Sequence, residues 1–381
     1  LQWVKSSKED GPGKREKWSS CVFAEPVLMS ALLVLLVIGI GMIYSTSSYR
    51  AEELYEDSLY FTKRQVIYTS ISLVVMFFMT RFDYRRLMPL LRAILVSSLI
   101  LQVVVLVVGT ASHGSARWLY IGPVGFQPSE YAKTAIIIYT AAICAVEGAE
   151  VAKILKLLRI MLLPVTVIVL IGVENLSTAI ICFGILVVIL FVSSPKTRHF
   201  VIIGVCGIIG VVLFILFAGY RATRVKVWLS PESYDEGYQT IQSLYAVGSG
   251  GLFGTGFGKS IQKMGFIPES HNDMIFSVVC EELGLFGAGL IIGIFLILLY
   301  RLCIVAMNAR DRFGCLLTVG IMAHLAVQML INVSVVTNTI PPTGVPMPLI
   351  SYGGSSIMFI LAEMGIAMSV ARRNVNRCTD I

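Results

Sequence analysis

Residues 265–284, GFIPESHNDMIFSVVCEELG, place carboxylates around an apolar run: Glu269, Asp273, Glu281 and Glu282. Read as one helix, Asp273, Ser277 and Glu281 are spaced i, i+4, i+8 and share a face, with Glu281 about 12 Å further along the axis. Carboxylates inside hydrocarbon are costly unless they face a partner or an aqueous cavity. Two readings of Asp273 follow. It is either a helix N-cap favoured by the dipole, or a general base at the rim of a polar cavity that opens outward.

A second stretch, GSARWLYIGPVGFQPSEYAKTA at 114–135, carries cations. Pro128 and Glu130 suit the first turn of a helix, and Glu130 and Lys133 form an i, i+3 pair. Lys133 falls one turn inside the apolar run and needs a partner. Together with Arg117, the lone cation of its loop, it suits an anionic head group such as a phosphate. A third stretch, SGGLFGTGFGKS at 249–260, resembles a nucleotide loop, but Phe253 stands where that pattern needs its first glycine. No nucleotide is expected, and Gly250 and Gly251 serve tight turns and close approach to a ligand or a span. In the fourth, NTIPPTGVPMPLISYGGSSIMF at 338–359, no side chain between 339 and 357 titrates near neutrality. Pro346, Pro348, Ser351, Gly353 and Gly354 are therefore assigned to shaping the cavity. Glu269, His271 and Asp273 alternate, so an extended chain would point all three one way, which suits a divalent cation such as Mg or Mn. His324 and Glu363, each deep in an apolar run, are expected to be buried polar partners rather than ligands.

The elements that must hold these residues are membrane helices. The 381 residues are 56% hydrophobic and only 14% charged, with mean hydropathy +0.82, where a soluble domain carries about 25% charged residues. Ten runs are long enough to cross about 30 Å of hydrocarbon: 27–46, 65–80, 90–109, 128–146, 157–173, 176–193, 199–219, 273–300, 314–336 and 352–371. With a cytoplasmic N-terminus, 20 Lys and Arg lie in inside segments and 9 outside, five of those in the single long loop 220–272. This positive-inside bias puts both termini in the cytoplasm, so the net charge of +7 is a topology signal and no nucleic acid is expected. The fold class is all-α: a flexible tail at 1–22, one transmembrane domain at 23–373 and a cytoplasmic tail at 374–381. None of the eight cysteines lies in an outside loop, so no disulfide is expected. Within the long loop, Gln239–Val247 reads as a short amphipathic helix ended by glycines.

GSARWLYIGPVGFQPSEYAK, QSLYAVGSGGLFGTGFGKSIQKMGFIPESHNDMIFSVVCEELG and TGVPMPLISYGGSS together resemble the SEDS family, the bacterial shape, elongation, division and sporulation proteins. The likeness covers nearly the whole chain, with the motifs in family order, and is closer to division and sporulation members than to the elongation member. The resemblance implies a peptidoglycan glycosyltransferase that polymerises lipid II at the outer face of the bacterial cytoplasmic membrane. It also implies a class B penicillin-binding protein as partner, and a catalytic acid at Asp273. The family's arginine falls on Arg117, and its Glu and Lys on Glu130 and Lys133. Where many members carry an acid after span five, this chain has Asn175, with Glu174 as the candidate substitute. Glu130, Glu281, His271, Glu174 and Lys263 are the supporting polar residues, with Glu281 and Glu130 expected to orient Arg117 and Lys133. The rival expectations are a lipid II flippase or transporter, in which polar groups continue through both leaflets, and an elongation-type polymerase.

Overall fold

Apolar runs bounded by proline, glycine and charge fold into helices here, because a chain rich in Leu, Ile, Val and Ala satisfies its backbone locally and buries or greases its whole circumference. The computed structural model describes residues 25–375 apart from 113, 114, 122, 123, 149, 150, 152, 195, 197, 218 and 269. In chain order the helices are α1 (Pro26–Tyr55), α2 (Tyr60–Arg81), α3 (Leu91–Val108), α4 (Pro128–Glu147), α5 (Ile154–Glu174) and α6 (Leu176–Ser193). They continue as α7 (Arg198–Phe217), α8 (Gly219–Leu229), α9 (Tyr238–Ser249), α10 (Ile275–Met307), α11 (Arg312–Val336) and α12 (Gly354–Val375). Among the described residues seven helical stretches are long and apolar enough to cross a membrane: α1, Tyr84–Val108, α5, α6, α10, α11 and Gly354–Asn374.

The all-α expectation needs one correction. Between α3 and α4 the chain forms a three-stranded antiparallel sheet, β1 (Thr110–Ser112), β2 (Ser115–Ile121) and β3 (Val124–Phe126), with Ser112 opposite Ser115 and Ile121 opposite Val124. Arg117, Trp118 and Tyr120 belong to its central strand, where alternate residues point to opposite faces.

α11 is the hub. It packs on α4, α6, α10 and α12, while α12 lies along α2 and α10 along α1. Leu317 and Leu325 of α11, Ile136 of α4, Phe295 of α10 and Leu361 of α12 are fully buried around it. Outward-facing Val37, Val74, Val107, Leu155 and Phe286 stay exposed, an apolar exterior suited to lipid.

Two features shape the site. The connection 337–353 folds inward until the Leu349 carbonyl lies against Gly39 of α1, a contact that leaves no room for a side chain there. α10 is broken at Gly284, whose φ of 67° and ψ of −170° separate a short segment, 275–283, from the long apolar remainder.

Candidate active site

Asp273 does not begin a helix. Residues 270–274 form turns, Met274 is the N-cap of α10 without a side-chain capping bond, and Ser277 Oγ donates to the Met274 carbonyl at 2.6 Å. The expectation that Asp273 caps the helix is thereby corrected, because Met274 holds that position. The physical reason is Asn332 of α11, whose amide donates to the Asp273 carbonyl at 2.7 Å and to the Val345 carbonyl at 2.8 Å. One buried side chain thus ties two loops together, and the half-buried Asp273 carboxylate stands beside Gly344: a Cβ there would lie 3.6 Å from Oδ2. His271 is packed between Phe61, 4.7 Å away, and Tyr352, 5.8 Å away, while its carbonyl accepts from the Tyr352 N–H at 3.0 Å.

Ser270 Oγ donates to the Thr46 carbonyl at 3.2 Å, and Ser45, the preceding residue of α1, donates to Glu282 at 2.6 Å. Both ends of the segment from Ser270 to Glu282 are therefore tied to α1.

What Glu281 and Glu282 do is dock the glycine-rich loop. Glu282 accepts from Ser45, from Lys263 Nζ at 2.8 Å and from the Gly258 N–H at 3.0 Å. Glu281 accepts from Ser260 Oγ and from the Ile261 N–H at 2.9 Å. The expectation that Glu281 orients Arg117 and Lys133 gives way to a loop-docking role, because Ser260 and Ile261 each hold one of its oxygens.

The helix break exposes orphan backbone groups, and the same loop satisfies them. Thr255 and Gly256 N–H donate to the Glu281 and Glu282 carbonyls at 2.9 and 3.0 Å. Leu285 and Phe286 N–H donate to the Gly251 and Leu252 carbonyls at 3.0 and 3.1 Å. Gly250 rests on the Cys280 carbonyl, so Gly250 and Gly251 belong to this docking rather than to a ligand cradle. The short helix expected at 239–247 is α9, whose buried face is Thr240, Ser243 and Ala246.

Lys133 is 1% exposed and meets Glu130 at 2.8 Å, as the i, i+3 spacing predicts. It also donates to Gln328 Oε1 of α11 at 2.9 Å. Gln328 Nε2 donates to the Pro346 carbonyl at 3.0 Å, and His324 Nε2 lies 3.0 Å from Gln328 Oε1. His324 Nδ1 is 2.7 Å from Glu363 Oε2 on α12, and Thr134 Oγ1 donates to Glu363 Oε1 at 2.6 Å. Arg117 sits elsewhere: its guanidinium donates to the Glu174 carbonyl at 3.3 Å, at the C-terminal end of α5, where a cation complements the helix dipole. Lys133 is thus bonded to Glu130 and Gln328, while Arg117 reaches the Glu174 carbonyl. Asn175 caps α6 by accepting from the Thr178 N–H at 3.2 Å.

The remaining residues expected to shape a cavity lie on the inward connection or at its end. Ser351 Oγ accepts from the Met347 N–H at 2.8 Å, and the Gly353 N–H donates to Gln65 at 3.2 Å. Gly354 faces the Tyr68 ring, and Pro348 precedes Leu349, which takes φ of 65°. Of the expected cation ligands, His271 and Asp273 lie on turns rather than on extended chain. Glu269 lies outside the described residues, and no group of three His, Cys, Asp or Glu suited to a metal occurs among the described residues.

Asn332, Gln328, Ser45, Thr134 and Ser260 were not singled out by sequence. One signal was available: His324, Gln328 and Asn332 recur every four residues through an otherwise apolar run, a polar stripe on one helix face.

Residues 26–376 match the model of the cell cycle protein family that unites FtsW, RodA and SpoVE. The chain belongs to this family. Among family members, stage V sporulation protein E of Bacillus subtilis (strain 168) is 37% identical over 356 residues, covering 91% of this chain and 96% of that protein. The probable peptidoglycan glycosyltransferase FtsW of Geobacter metallireducens is 35% identical over 353 residues, covering 91% and 94%. Two solved structures share the family fold. A chain from a study of polymerization and crosslinking by a peptidoglycan synthase complex superposes with TM-score 0.77 at 26% identity, covering 91% of this chain and 97% of that one. Thermus thermophilus RodA superposes with TM-score 0.69 at 26% identity, covering 91% and 96%.

Proposed function

We propose that this protein is a peptidoglycan glycosyltransferase that joins lipid II units at the outer face of the bacterial cytoplasmic membrane, in division or sporulation. The observation that carries the reading is the placement of Asp273, on a half-buried turn against Gly344 with its backbone anchored by Asn332, within a chain of this family. A carboxylate so held is poised by the fold rather than committed to capping a helix.

The reaction proposed is inverting. Asp273 accepts the proton of an acceptor sugar hydroxyl as its oxygen forms a bond to the anomeric carbon of the donor. The bond from that carbon to pyrophosphate breaks, and polyprenyl pyrophosphate leaves with the electron pair. Arg117, whose fork matches phosphate geometry, offsets charge on the leaving group. Lys133, buried against Glu130 and Gln328, supports the site from behind. A divalent cation, Mg or Mn, enters only as a companion of the pyrophosphate.

Ten spans with both termini cytoplasmic are proposed, which leaves the β1–β3 sheet, α9 and residues 250–274 on the outer side with Asp273. The partner proposed is a single-span class B penicillin-binding protein that cross-links the emerging strand, and membrane lipids surround the apolar exterior. The test is reconstitution of the purified chain in liposomes with lipid II. Glycan strands that lengthen with wild-type protein and not with Asp273→Asn support the proposal, whereas lipid II that only changes leaflet would replace it with a flippase.

A further inference from the structure

His324 and Glu363 are a titratable pair that the reaction above does not use, buried at 0% and 1% exposure. Their hydrogen bonds leave little freedom. The Gln328 NH2 group is directed at the Pro346 carbonyl, so its oxygen is the atom that meets both Lys133 and His324 Nε2. An amide oxygen only accepts, hence His324 Nε2 carries a proton. On the other side of the ring, Nδ1 and Glu363 Oε2 at 2.7 Å hold one proton between them, as acid and neutral imidazole or as carboxylate and imidazolium. In either form the pair is neutral overall. Thr134 occupies the second oxygen of Glu363. The charged groups facing the pair are Glu130 and Lys133 of α4, which neutralise each other at 2.8 Å, and the thiol of Cys182 on α6 also faces this cluster.

The consequence reaches Asp273 through α11. His324, Gln328 and Asn332 are one turn apart on a single face, with about 6 Å of rise between neighbours. Gln328 holds Pro346, Asn332 holds Val345 and Asp273, and Lys133 is held by Gln328. If His324 took its other tautomer, Nε2 would become an acceptor. Gln328 would then turn its NH2 towards it and lose Pro346.

We infer that His324 and Glu363 are positioning residues for the candidate site: their shared proton locks the His324 tautomer that orients Gln328, and so sets Lys133, the 345–346 segment and Asp273 in register. This rests on the polymerase reading for its activity readout. It requires Glu363 as a hydrogen-bonding partner and not as a group that releases its proton during turnover. Glutamine meets that requirement, since its oxygen accepts from Thr134 and its NH2 donates to Nδ1, which preserves the same tautomer.

The experiment compares the full chain with Glu363→Gln and Glu363→Ala variants in liposomes, measuring lipid II polymerisation against pH and substrate concentration. Hydrogen exchange of segment 345–352 is followed in parallel. Glu363→Gln is expected to keep the wild-type rate and a superimposable pH profile. Glu363→Ala is expected to lose about 10- to 100-fold in kcat with KM little changed, the scale of a small misplacement of reacting groups. Exchange at 345–352 is expected to rise in Glu363→Ala alone. A Glu363→Gln protein that has lost activity, shifted its pH profile or failed to fold overturns the inference, as does a Glu363→Ala protein with wild-type kcat and exchange. Should Glu363→Ala not fold, the glutamine variant decides. If wild type itself never lengthens lipid II, the polymerase reading fails, while the exchange comparison still tests the register.

Discussion

Gly254 and Gly284 lie backbone against backbone at the break in α10, with Gly254 also pressed on the Glu282 carbonyl. Both take positive φ, 79° and 67°, so neither accepts a Cβ without strain and collision. Gly254→Ala or Gly284→Ala is expected to destabilise the protein by about 1–3 kcal/mol or more and to release the 250–263 loop. A lowered unfolding temperature in detergent, with new proteolytic cleavage confined to that loop, would check this. Unchanged stability in both variants contradicts the docking described here.

Lys263 and Glu282 form an ion pair at 2.8 Å with side chains 5% and 0% exposed. Lys263→Met leaves a buried carboxylate with only Ser45 and loop N–H groups, a loss of about 3–5 kcal/mol for breaking such a pair. The double variant Lys263→Met, Glu282→Gln removes the stranded charge and is expected to recover part of that loss. A double-mutant cycle in denaturant measures the coupling, and additive effects would rule it out.

For Asp273, the expected signature is chemical rather than structural. Asn332 bonds its carbonyl and not its carboxylate, so Asp273→Asn preserves that anchor. Loss of a general base costs about 10²–10⁴-fold in rate, with the unfolding temperature little changed. Polymerisation of purified lipid II at the wild-type rate by this variant would remove Asp273 from the reaction.

Arg117 faces the end of α5 from the β-sheet, so Lys and Ala replacements separate its charge from its fork. Polymerisation rates are expected to fall in the order Arg, Lys, Ala, because an ammonium keeps the charge but not bidentate contact with phosphate. Equal rates for all three would leave Arg117 a helix-end partner only.

Much of the frame was legible in the chain itself. Long apolar runs gave nearly every helix, and the i, i+3 spacing of Glu130 and Lys133 announced their pair. What was not legible is illustrated by Glu281. Its position after Asp273 and Ser277 suggested one polar face, yet Gly284 breaks the helix just beyond it, and Ser260 and Ile261 take both its oxygens. Arg117 and Lys133 are both cations in one motif-bearing stretch, and their partners on other helices were likewise not legible. The sheet carries Arg117 to α5 while Lys133 turns into the α4–α11 interface.

Hydropathy and local spacing depend on neighbours along the chain, so sequence alone determined the membrane helices, the charge bias across them and the family motifs. The partners of buried polar groups depend on which helices become neighbours in space. Ser45 and Glu282 lie 237 positions apart, and His324 and Glu363 sit on different helices. Only tertiary packing decided that Asn332 would hold Asp273 outside a helix, because a buried polar atom bonds whatever partner the fold brings within reach.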